Sequence, residues 1–185
     1  MEVKGSVVKS IYNFVETQFP TQHKVWLNAL PSTSADIYND AILATQWYPI
    51  EEAVIRPTEL LCQMFYQGSP RGAWEAGMYS AQEALTGVYK VFVMISTPAF
   101  LMNRAEKILS SFYAPSKVEV VESTAHTMSI HLTEWPYHNE LLEYRIGGWM
   151  EKALEICGCR KLNVNISKSL VKGDEVTEFS LSWES

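Results

Sequence analysis

The chain holds 185 residues, 47 % of them hydrophobic and 19 % charged, which excludes disorder and low complexity and suits one domain. Fifteen basic residues against 21 acidic ones give a formal charge of -6, arguing against broad capture of nucleic acid, and three cysteines, an odd number, exclude a disulfide scaffold. Val91 to Asn103 is the longest charge-free run near the middle, but Pro98 interrupts it and it falls short of the roughly 20 apolar residues of a bilayer span. Met1 to Gly5 lead into an amphipathic pattern without an apolar signal core, so a cytoplasmic location is expected.

Val7, Val8, Ile11, Phe14, Val15 and Phe19 recur at three- and four-residue steps, which predicts a helix ending near Pro20. Val25, Trp26 and Leu30 predict a short second helix stopped by Pro31, and Ser32, Thr33 and Ser34 read as a loop. Trp47, Tyr48 and Pro49 are expected to open another helical region, divided at Pro57. Ser69 and Pro70 form an N-cap pair for a long helix reaching about Ile95, with Gly87 as a break and a nearly all-apolar piece beyond it. Ala73, Gly77 and Ala81 fall on one small-residue stripe of that helix, a surface for close approach of another backbone. Thr97 and Pro98 start a further helix that ends at Phe112.

From Lys117 the period changes to two. Val118 and Val120, then Met128, Ile130 and Leu132, predict two half-buried strands. Leu141, Leu142, Arg145, Ile146, Trp149, Ala153, Leu154 and Cys157 restore helical spacing, and Gly158 stands where a helix end favours a left-handed residue. Leu162, Val164 and Ile166, then Phe179, Leu181 and Trp183, alternate as two strands joined by a turn at Lys172, Gly173 and Asp174. The reading is a single α+β domain over residues 1–185. A helical part, 1–113, packs on a ββαββ part, 114–185, with a four-stranded antiparallel sheet.

Candidate chemistry is sparse. His126 and His131, five apart on a strand, face opposite sides, and His23 and His138 join no cluster of ligand spacing. Cys157 and Cys159 form one pair without a second, so they read as small core residues. Gly147 and Gly148 sit inside a helical pattern with no strand feeding a phosphate loop, and they read as packing glycines. No nucleophile elbow is present, and the glutamates of the 140–155 helix read as a solvated face. An enzyme is therefore not expected. The aromatic and methionine residues carry the remaining signal: Trp74 and Met78 share one helix face, Tyr89 and Phe92 another, and Trp149 lies on the crossing helix. These five are the ligand-pocket candidates, to surround a small apolar molecule.

Trp47-Tyr48-Pro49, the stretch Ala81 to Phe92, Thr97 to Leu101, Val118 to Glu122, Ile146 to Glu151 and Lys172-Gly173-Asp174 with Glu178-Phe179 and Trp183 resemble a bacterial family first described as a set of myxobacterial paralogues. That family is distantly similar to the haem nitric-oxide/oxygen-binding (H-NOX) fold, and its C-terminal half resembles ligand-binding domains of the 4-vinyl-reductase type. The resemblance implies a non-enzymatic, ligand-binding sensor with a signalling partner, and leaves a homodimer open. Its departures concern the cofactor. H-NOX domains ligate haem through a histidine on the helix before the strands, whereas the Pro98 to Phe112 helix has none and Phe100 stands nearest that position. They hold the haem propionates with a Tyr-x-Ser-x-Arg motif, whereas this chain reads Leu132 to Tyr137 there. Haem is therefore not expected. Relatives carry cysteines around the last hairpin where this chain has Ser169 and Thr177. The alternative reading is a protein-interaction module whose core is filled by its own side chains; a haem-based gas sensor and an enzyme stand behind it.

Overall fold

The structure is a computed structural model that describes residues 1–86 and 104–184. Strand β1 (Glu2–Lys4) runs into α1 (Gly5–Gln18), whose Val7, Val8, Ile11, Phe14 and Val15 are buried as their spacing predicts. Next comes α2 (His23–Ala29), which places Trp26 fully in the core. Ser32 to Ser34, expected as a loop, begin α3 (Ser32–Asn39): Ser34 and Tyr38, four apart, form a buried stripe, and the Pro31 carbonyl accepts from the Ser34 and Ala35 amides. A stripe of two buried residues is too short for a hydropathy pattern to register.

Trp47, Tyr48 and Pro49, expected to open a helix, form strand β2 (Trp47–Pro49), antiparallel to β1 with Val3 opposite Tyr48. The pairing that decides this conformation comes from residues some 45 positions away, so local pattern misses it. Pro57 does not divide the following helix. A π-helical turn (Glu51–Ile55) continues into α4 (Arg56–Phe65), and Pro57 lies in its first turn. Proline offers no N–H to the carbonyl four residues back, that of Ala53, and the Tyr38 hydroxyl donates to it at 2.9 Å instead.

Helix α5 (Arg71–Thr86) starts where Ser69 and Pro70 predict, the Ser69 hydroxyl accepting from the Arg71 amide at 3.2 Å. The expected Gly87 break and the apolar piece to Ile95 lie outside the described residues, as does most of the first half of the Pro98 to Phe112 helix. Its described part is α6 (Ala105–Ser110), followed by β3 (Tyr113–Ala114), which pairs with the other edge of β1.

Strands β4 (Lys117–Ser123), β5 (Thr127–Glu134), β6 (Arg160–Lys168) and β7 (Thr177–Glu184) form a four-stranded antiparallel sheet in the order β4-β5-β7-β6. This is the ββαββ arrangement the alternation predicts. Ile130 stands opposite Phe179 and Met128 opposite Leu181 across β5 and β7, and all four are buried. Each such side chain contributes about 1.5–3 kcal/mol on leaving water. On the edge strand β6, Leu162, Val164 and Ile166 are only half-buried.

Between the hairpins runs α7 (Glu140–Ile156). Its N-terminus is capped by Asn139, whose side chain accepts from the Leu141 amide at 2.9 Å, and it ends at Gly158 with φ +87°. Helices α5 and α7 approach each other backbone to backbone. A methyl group on Gly77 would overlap the Arg145 carbonyl, and one on Gly148 the Trp74 carbonyl. Ala73 and Ala81 complete the stripe, fully buried. No helix among the described residues is long and apolar enough to cross a membrane.

Candidate functional site

A cavity of about 40 Å³ lies where α1, α5, α6, β4 and α7 converge. Helix α7 presents Arg145 and Trp149, four apart, and Ile146 and Met150, again four apart, to it. Ile108 and Leu109 of α6, with Phe112, close one side, while Val7 of α1, Tyr113 and Val118 close another. Ser80 of α5 brings a hydroxyl, and Arg145 a guanidinium, to a largely apolar wall.

Arg145 is 2 % exposed. One of its terminal nitrogens, Nη2, donates to the Ser10 hydroxyl at 2.9 Å; the other, Nη1, is buried with no hydrogen-bond partner among the described residues. The neighbouring Tyr38 phenol stays neutral, since burial pushes its pKa far above the ordinary tyrosine value against a smaller lowering by Arg145.

Of the sequence candidates, Trp149 lines this cavity. Trp74 lies elsewhere: its ring closes over Gly147, its indole N–H donates to Glu151 at 2.5 Å, and it borders a shallow hollow with Tyr144 and Ile166. Met78 borders a surface groove with Phe14 and Tyr79. Tyr89 and Phe92 lie outside the described residues, as does Phe100. The structure thus does not bring Trp74 and Met78 to the cavity that Trp149 lines. Sequence reasoning missed Arg145 as a site residue. The signal available was a charge inside the apolar stripe of α7, between Leu142 and Ile146.

All four histidines are described, and none lines the cavity. His23 is buried between Tyr12 and Trp26; His126 lies in the turn before β5; His138 is exposed. His131 faces Glu178 at 2.6 Å. Among the described residues no group of three His, Cys, Asp or Glu side chains could hold a metal ion. The cysteines are free thiols, and burial pushes Cys62 and Cys157 each up to about 11, which keeps them protonated. Ser169 and Thr177 converge on the buried Glu143, both hydroxyls donating to its carboxylate, Ser169 at 2.7 Å. Glu143 is thereby a satisfied structural group.

No protein-family model matches the chain, and no curated protein sequence does. Solved structures do. The chain is similar to an H-NOX protein from S. oneidensis in its Fe(II)NO state, with a TM-score of 0.76 at 10 % identity, covering 98 % of this chain and 99 % of that one. Unliganded Fe(II) H-NOX from K. algicida gives a TM-score of 0.68 at 10 % identity over 98 % and 97 % of the two chains. A point mutant of T. tengcongensis H-NOX gives 0.68 at 8 % identity over 98 % of each. The fold is that of the H-NOX proteins, a distant similarity carried by architecture.

Proposed function

We propose that this chain is a non-enzymatic sensor or ligand-binding protein whose ligand occupies the cavity beside Trp149. The observation that carries the reading is a largely apolar cavity with polar groups on Ser80 and Arg145, inside a fold shared end to end with proteins described by their diatomic-gas ligation. Such a combination is how small-molecule sites are built. Among the described residues the wall holds no imidazole or thiol, and the cavity is far smaller than the roughly 300 Å³ at which cofactor-sized pockets begin, so its residues do not fit a histidine-ligated haem. The ligand is instead a few heavy atoms in size, since the space admits about three waters. A signalling partner would read the ligand through α6 and the sheet, which share the cavity wall.

That same small volume favours a second reading, an interaction module whose core is filled by its own side chains. Tryptophan emission separates the two. Butanol, small and neutral, should change the emission saturably in the wild type and not in Ser80→Leu, which fills the cavity from α5. A linear response that is equal in both chains would favour the interaction module.

A further inference from the structure

We infer that the ligand carries a carboxylate, held by the Arg145 guanidinium, with a short alkyl body against Ile146, Trp149 and Phe112. The inference rests on the cavity being the ligand site. Its starting point is a charge without a counter-charge. A guanidinium does not give up its proton inside a protein, so Arg145 is a cation at 2 % exposure. Its only hydrogen-bond partner among the described residues is neutral Ser10, whose own hydroxyl is committed to the Val7 carbonyl at 2.8 Å.

Glu143 and Glu151 on the same helix, and the Tyr38 phenol that feels the Arg145 charge, are engaged elsewhere. Glu143 accepts from Ser169 and Thr177, Glu151 accepts from the Trp74 indole, and Tyr38 donates to the Ala53 carbonyl. Among the described residues no carboxylate forms an ion pair with Arg145. An uncompensated buried cation is among the costliest groups a fold can carry, and a purely structural position would favour an apolar residue of similar volume. Arg145 instead lines the cavity with Nη1 unpartnered among the described residues. A guanidinium offers paired N–H donors in one plane, the geometry a carboxylate accepts. The rest of the described wall is apolar apart from Ser80 and the Tyr113 phenol, which suits an alkyl body, and about 40 Å³ limits that body to a few carbons.

The test compares propionate, its neutral isostere propionamide and nitrate at constant ionic strength, read by thermal midpoint and tryptophan emission on the full chain. Propionate should raise the midpoint saturably and bind at least tenfold more tightly than propionamide or nitrate. Arg145→Met should lose the propionate response while melting no lower than the ligand-free wild type, because it removes an unpaired charge. Arg145→Lys should keep a weakened response. Equal binding of propionate and propionamide overturns the carboxylate while leaving a neutral ligand in place; equal binding of nitrate reduces the site to a general anion site. No response to any of these or to butanol removes the ligand reading as well. If Arg145→Met does not fold, the decision rests on wild-type discrimination between propionate and propionamide and on its weakening in Arg145→Lys.

Discussion

Glu178 stands on β7 with three donors around its carboxylate: Ser167 Oγ at 2.7 Å, His131 Nε2 at 2.6 Å and Lys168 Nζ at 3.2 Å. These hold its pKa down at about 2 from an ordinary 4.5, the Ser167 hydrogen bond contributing most and His131 next. A depressed folded-state value stabilises the fold above the unfolded value, and that contribution disappears as the pH falls from about 4.5 toward 2. Melting curves across that window should therefore fall less steeply for Glu178→Gln than for the wild type, with Ser167→Ala between them. Identical slopes in all three chains would show that the cluster does not couple to folding. Glu178 and its three partners come from β5, β6 and β7. Ser167, His131 and Glu178 were readable as polar members of alternating strands, whereas Lys168 follows Ser167 directly and joins them through the irregular register between Ile166 and Lys168, so the convergence could not be read from one strand alone.

The α5–α7 crossing is set by glycines that no other residue can replace without moving a backbone. At Gly148 alanine would gain about 1 kcal/mol of helix propensity. Its methyl group would meet the Trp74 carbonyl, a main-chain atom that cannot rotate away, and overpacking of this kind costs typically 1–3 kcal/mol or more. Gly148→Ala should thus lower the unfolding free energy by about 1–2 kcal/mol in denaturant titration, and Gly77→Leu by more. An unchanged midpoint for Gly148→Ala would mean that the two helices stand further apart. The stripe Ala73, Gly77, Ala81 and the pair Gly147, Gly148 were both visible in the sequence, because small residues at helical spacing need a physical reason to be there. Elements with many periods, α1, α7, β5 and β7, were equally legible. The short ones were not: α3 buries one small stripe, and β2 exists through its pairing with β1.

At the scale of the whole molecule, architecture was the most readable property, since helical spacing before about residue 113 and alternation after it define an α+β layout; the H-NOX likeness came from the resemblance and is matched by the fold. The cavity was the least readable. Val7, Ser80, Phe112, Val118 and Arg145 come from segments scattered over most of the chain, and only the packed tertiary structure brings them to one space. Aromatic content singled out Trp149, which stands beside the cavity, and Trp74, which serves the helix crossing, with no means of separating the two. The same packing leaves the four histidines away from the cavity wall. The most direct test of the account is native mass spectrometry of the chain purified from its own cells. The account predicts one small molecule retained per chain, lost in Ser80→Leu and accompanied by no Soret absorbance. Retention of haem at one per chain, with a Soret band abolished by replacing a single histidine, would contradict it.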